Sequence, residues 1–197
     1  MGREPRREGG RWDPSLEGVI LASAMAAVAE LGYDRMTMDD LAKRAGVGKA
    51  AIYRRWSSKS EVVAAAIAHW RRSLGVPEVV DTGSLRGDLD QLMHAVRDYD
   101  EAELTTFRVV IGVATAAMND SALYRALDEQ VLTVPRQIIQ TVLDRAVARG
   151  EIPPDRQLSV LPDAILGLNL MRIISGKPLD KAFIRRVLDE LVLAQAR

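Results

Sequence analysis

Between Thr37 and Lys59 the chain reads TMDDLAKRAGVGKAAIYRRWSSK, and Lys49, Tyr53, Arg54, Arg55 and Lys59 in it carry hydrogen-bond donors or positive charge. Residues 49 and 53 are four apart and share one face of a helix, with Arg54 beside them. Lys59 falls in the first turn of a following helix, where unpaired backbone N–H groups favour an anion. Such side chains grip a polyanion and read polar edges; none is a nucleophile beside a base. His69 and His94 are the only histidines, neither has a second ligand at metal spacing, and there is no cysteine. No catalytic residue, metal site or cofactor is expected. Gly46-Val47-Gly48-Lys49-Ala50-Ala51 nominally fits G-x-G-x-x-A, but it follows a helical segment with Lys43 and Arg44, not the buried strand that a nucleotide fingerprint requires.

Two short helices meeting at a tight corner would position these groups. A helix-turn-helix needs a small residue facing the partner helix, a glycine at the corner and apolar plugs on either side. Ala42, Gly46, Val47 and Ile52 stand at those places. Thr37 with Asp40 predicts a capping box opening the first helix. Met38, Leu41 and Ala45 line its inner face, and Gly46 stops it. The second helix is expected over 48–56, with Ile52 and Trp56 turned inward. Ser58 and Glu61 predict a further capping box for the helix that follows. Taken singly, Tyr53 would be a half-buried core residue and Arg44, Arg54 and Arg55 solvated surface. Their joint spacing points to the major groove of DNA.

The rest of the chain predicts an all-α fold. Apolar residues make up 48% of the 197 and charged residues 27%, an ordinary globular balance. Residues 1–14 are expected to be a flexible, mixed-charge arm. A helix then runs to Leu31, and no alternating pattern suggests a strand. Further helices are predicted over about 58–74, 84–99, 102–119, 121–149, 158–174 and 180–196 by hydrophobic periodicity and breakers. Pro135 should kink or divide the 121–149 stretch. Net charge is zero, yet residues 1–75 hold 13 Lys/Arg against 9 Asp/Glu, and residues 76–197 hold 14 against 18. A basic module on an acidic body is the pattern of a DNA-facing unit. No apolar run reaches the roughly 20 residues of a membrane span, and a cytoplasmic location is expected.

Residues 37–59 resemble the DNA-binding region of the TetR family of transcriptional repressors. The matching positions are Gly32-Tyr33, Thr37, Leu41-Ala42, Ala45-Gly46-Val47, Lys49, Ile52-Tyr53, Trp56 and Ser58-Lys59. The resemblance implies an N-terminal three-helix helix-turn-helix domain over 15–60. It also implies a larger helical domain over 61–197 for effector binding and dimerisation. It implies that Thr37, Tyr53 and Lys59 touch phosphates while Lys49 and its neighbours approach bases. Gly48 and Ala51 depart from the pattern, replacing hydroxyl-bearing residues, so readout would lean on Lys49, Ala50, Arg54 and Arg55, with Gly48 at the helix start and Arg44 at the flank.

A homodimer on double-stranded operator DNA, repressing transcription and released by a small hydrophobic effector, is the resulting expectation. A DNA-binding activator or architectural protein without an effector, or a helical enzyme or adaptor, are the other readings. Trp70, Met93, Phe107, Met118 and Tyr124 are candidates to line an effector cavity, with plain core packing as the alternative for each. Leu161, Ile165, Leu168, Phe183, Val187 and Leu191 fall on stripes of the last two helices that could pair with a copy of themselves.

Overall fold

The computed structural model describes residues 14–96 and 98–196, and all of their regular structure is helical. The expected arm over 1–14 lies outside these residues except for Pro14, which begins the first helix. The helices are α1 (Pro14–Leu31), α2 (Met38–Ala45), α3 (Lys49–Tyr53), α4 (Lys59–Ser73), α5 (Leu85–Ala95), α6 (Glu101–Ala117), α7 (Ser121–Leu127), α8 (Val134–Ala148), α9 (Leu161–Ile174) and α10 (Lys181–Val187). None of the described helices is long and apolar enough to cross a membrane.

The first core forms because α1 carries small and branched apolar residues on the side facing α2 and α4. Ile20, Leu21, Ala24, Ala27 and Val28 meet Leu41 and Ala42 of α2, Ile52 of α3, Trp56, and Val62, Val63, Ala66 and Ile67 of α4. Val110, Val113 and Ala117 of α6 and Leu123 and Leu127 of α7 belong to the same core. The expected boundary at residue 60 thus falls inside a continuous apolar cluster, and the groups that would face DNA stand on a base that includes α6 and α7.

A second core joins α5, α8, α9 and α10 through Leu85, Leu89, Ile139, Leu143, Ile165 and Val187, among others. The two cores are connected by one long helical run. Pro135 does not divide it; the chain widens into a π-helical turn over Asp128–Thr133 and continues as α8. Proline has no N–H and its ring crowds the carbonyl four residues back, and a wider turn just before it relieves both. Arg136 clamps this joint, donating from Nη1 to Asp128 Oδ1 at 3.2 Å and from Nε to Asp163 Oδ1 of α9 at 2.5 Å.

The α9–α10 stripes are a correction to the sequence expectation. Leu161, Ile165 and Val187 are buried in the chain's own second core, and Phe183 and Leu191 pack against it. Of the six residues expected to face a partner, Leu168 alone is exposed. α9 is apolar on two sides, and α8 and α10 cover the side that periodicity had assigned to a second copy. The uncovered side shows Leu168, Leu170, Met171 and Ile174, with Val160 just ahead of the helix.

Candidate nucleic-acid interface

The corner that presents the basic side chains is set by local hydrogen bonding. Thr37 caps α2: its Oγ1 accepts from the Asp40 N–H at 3.2 Å, and Asp40 Oδ2 accepts from the Thr37 N–H at 2.9 Å and hydroxyl at 2.6 Å. The hydroxyl bond and then the N–H bond hold the Asp40 carboxyl below its ordinary range. α2 ends where Gly46 takes the left-handed conformation, φ 67° and ψ 29°. The Val47 N–H then donates to the Ala42 carbonyl at 3.0 Å and the Gly46 N–H to Lys43 at 3.4 Å, the bonding of a Schellman stop.

Gly48 leads into α3 in extended conformation and gives no side-chain cap. α3 is shorter than expected, ending at Tyr53, and Trp56 beyond it lies in the same core as Ile52. The Ser58–Glu61 box is half formed. Ser58 Oγ accepts from the Glu61 N–H at 3.2 Å, but the Glu61 carboxylate reaches the N–H and hydroxyl of Ser57 instead.

The outward face carries Thr37, Arg44, Gly48, Lys49, Ala50, Tyr53, Arg54 and Arg55, all exposed. Three of its cations are paired. Lys49 Nζ lies 2.5 Å from Asp39 Oδ2, Arg55 Nη2 lies 2.8 Å from Glu17 Oε2, and Arg44 pairs with Glu30. Lys59 turns back under the α1–α2 connection, donating to the carbonyls of Tyr33 at 2.9 Å and Asp34 at 3.2 Å. Its ammonium sits 4.3 Å from the centre of the Tyr33 ring. Asp39, Glu17 and Glu30 escaped the sequence reading, because their partners lie on other helices and no helical spacing links them.

Of the five residues expected to line a cavity, only Trp70 and Phe107 are brought together. Trp70 and Phe107 stack edge to face with centroids 4.9 Å apart, and Tyr99 stacks on Phe107 at 5.3 Å. Met93 packs on the second core, whereas Met118 is 81% exposed and Tyr124 is exposed at the α6–α7 corner. An open recess of about 390 Å³ lies beside Trp70, lined also by Ser73, Leu74, Asp100, Ala102, Glu103 and Thr106. The acidic residues near it cap and pair locally. Asp100 and Glu103 form the capping box of α6, Asp98 accepts from the Lys181 N–H, and Glu101 pairs with Arg108. His94 approaches Gln91.

Comparison with known proteins agrees with this architecture. Residues 20–66 match the tetR family of bacterial regulatory proteins, and residues 79–191 match the tetracyclin repressor-like C-terminal domain. A DNA-binding transcriptional repressor TetR of Mycobacteroides abscessus is 34% identical over 178 residues, covering 90% of this chain and 92% of that protein. A transcriptional regulator of Rhodococcus sp. Rha1 superimposes with a TM-score of 0.66 at 23% identity, covering 91% of this chain and 95% of that one. The regulator FadR of Bacillus subtilis, solved with stearoyl-CoA, gives 0.64 at 18% identity, with 88% and 96% covered. With both halves of the chain matched and a relative above 30% identity along most of its length, the chain belongs to the TetR family of bacterial transcriptional regulators.

Proposed function

We propose that this regulator binds a pseudo-palindromic operator as a homodimer, represses transcription by occluding the promoter, and is released by a small effector. The observation that carries the DNA reading is the exposed face built on the Thr37 cap and the Gly46 corner. It presents Lys49, Tyr53, Arg54 and Arg55 over a buried Ile52–Trp56 base. In this reading α3 lies in the major groove. Thr37, Tyr53, Arg44 and Lys59 grip phosphates, and Lys49, Ala50, Arg54 and Arg55 approach base edges across Gly48. Lys59 would have to release the Tyr33 and Asp34 carbonyls, or share their position with a phosphate. Two subunits would span half-sites roughly 34–36 Å apart.

Duplex binding measured against salt tests this. Two cations gripping phosphates per subunit, Arg44 and Lys59, and four per dimer give a log–log slope of about −4. Lys49→Ala and Tyr53→Ala should each weaken operator binding, and Lys49→Ala, which removes a positive charge beside the phosphates, should also flatten the slope. An unchanged affinity and slope in both variants would remove the DNA reading.

The effector half of the proposal rests on the Trp70–Phe107–Tyr99 stack beside the open recess, whose volume lies in the range of small-molecule sites. FadR supplies a relative of the same fold solved with a long-chain acyl-CoA. Thermal stabilisation by a compound panel, followed by operator release with the compounds that stabilise, separates an effector-released repressor from a DNA-binding protein without one.

A further inference from the structure

Lys49, Arg44 and Arg55 each share their charge with a carboxylate, so a phosphate that approaches them meets a partly cancelled cation. Lys59 is held differently. Among the described residues it makes no ion pair. Its ammonium donates to the Tyr33 carbonyl at 2.9 Å and the Asp34 carbonyl at 3.2 Å, and lies 4.3 Å from the centre of the Tyr33 ring. Two backbone carbonyls and a neutral ring orient the lysine and leave its net charge in place. The cradle is itself fixed. Gly32 turns out of α1 at φ 77°, the Met36 N–H returns to the Gly32 carbonyl at 3.1 Å, and the half-buried Tyr33 ring packs against the first core. From the other side, Ser58 caps α4 and sets the first turn in which Lys59 stands. Two fixed elements thus meet at one ammonium.

We propose that Tyr33 is a positioning residue for DNA binding: it holds the Lys59 ammonium ready for a backbone phosphate and stays on it in the complex. The inference rests on the reading in which Lys59 grips a phosphate. An ammonium has three N–H donors, and the two carbonyls take two of them. The ring attracts the charge as a whole and claims no particular N–H, so the third can pass to a phosphate oxygen with the cradle intact. A free lysine gives up most of its side-chain freedom on such a contact, whereas one already ordered gives up little more. The first turn of α4 adds its own partial positive charge at this point, which favours an incoming anion. The phosphate is thus an addition to the cradle and not a competitor for it. Because phosphates carry no sequence information, Tyr33 acts on affinity for every duplex alike.

The probe is a duplex enriched from a randomised pool by the full-length wild-type chain, titrated with each variant at several salt concentrations. Tyr33→Leu keeps the apolar packing and the backbone carbonyl but not the ring. It should bind about fivefold more weakly or worse, since one lysine in each of two subunits must then be ordered on contact. Tyr33→Phe, the conservative variant that retains the ring, should recover most of that affinity. Lys59→Met should weaken binding more than Tyr33→Leu and flatten the log–log slope by about two. The double variant separates positioning from packing. Tyr33→Leu added to Lys59→Met should cost nothing more, whereas a ring that matters only for packing costs the same in both backgrounds. A second readout uses the unsubstituted chain. By proton NMR the Lys59 ε-methylene signals should lie upfield, under the ring current of Tyr33, and stay there when duplex is added. Equal losses from Tyr33→Leu with and without Lys59, or a return of those signals to the ordinary lysine position on binding, would overturn the proposal. A wild-type chain that enriches no duplex would sink the DNA reading itself, and the proposal with it.

Discussion

A Cβ added at Gly46 would meet no heavy atom within 4 Å, yet the backbone there holds φ at +67°. The site thus separates conformational strain from packing. An L-residue in the left-handed region costs roughly 1–2 kcal/mol, with no clash to add and no contact to gain. Gly46→Ala should lower the stability of the protein by about that amount. It should weaken DNA binding further, because the variant can relieve strain by swinging α3 off the corner. Thermal unfolding and duplex titration on the same sample measure the two losses; an alanine variant with wild-type stability would show that the corner tolerates the strain. Gly46 was legible in the sequence because glycine, alanine at 42 and the plug at 47 stand at fixed offsets. Asp39 was not. Its pairing with Lys49 depends on where α2 meets α3 in space, and an aspartate in a first helical turn has a sufficient local reason to be there.

Between elements, the connection 75–84 is tied to the end of α8 by a network around Asp88, which is 1% exposed. Its carboxylate accepts from the Thr82 N–H at 2.7 Å, the Thr82 hydroxyl at 2.8 Å and Arg149 Nη2 at 2.9 Å. Arg149 also holds Asp81 at 2.9 Å and Glu151 at 2.7 Å, and the Glu151 carboxylate accepts from the Leu85 N–H. Burial alone would push the Asp88 carboxyl up; the Thr82 bonds and then Arg149 more than offset it and hold it below the ordinary range. Stability from this group is therefore present above the unfolded value of about 3.9 and is lost as pH falls through the lower native value. Arg149→Met leaves the carboxylate buried without its counter-charge, which costs about 3–5 kcal/mol at neutral pH. The deficit should shrink as pH drops and Asp88 takes a proton. Urea unfolding of both proteins from pH 7 down to pH 3 would follow it; a deficit independent of pH would assign the loss to packing of the arginine stem. Helix existence was readable from periodicity and breakers across this region, but nothing in the sequence marks Asp88, inside the expected 84–99 helix, as a buried carboxylate. Which loop folds back on a buried carboxylate is a long-range matter, and residues 82 and 149 share no local pattern.

At the scale of the whole molecule, α9 is the element through which the proposed homodimer would form. Its uncovered side shows Leu168 at 42%, Met171 at 57% and Ile174 at 56% exposure, with Val160 and Leu170 continuing the patch. Monomeric surfaces scatter such residues singly, so a contiguous apolar row along one helix marks an association face. Periodicity identified α9 as apolar, but with apolar residues on two sides it could not say which one the chain covers for itself. Because a two-fold interface brings the same patch of both subunits together, a charge placed at its centre is opposed by its own copy. Met171→Glu should therefore yield a folded monomer, with Leu161 and Ile165 still buried beneath it. Its affinity for a duplex with both half-sites should fall by a hundredfold or more, on the order of the gain that linking two sites provides. Its affinity for a duplex with a single half-site should be unchanged. Sedimentation equilibrium and titrations with the two duplexes decide the matter. A Met171→Glu protein that remains dimeric would move the interface away from α9, and one that is monomeric yet binds the full operator as tightly would mean that the subunits do not read DNA as a pair.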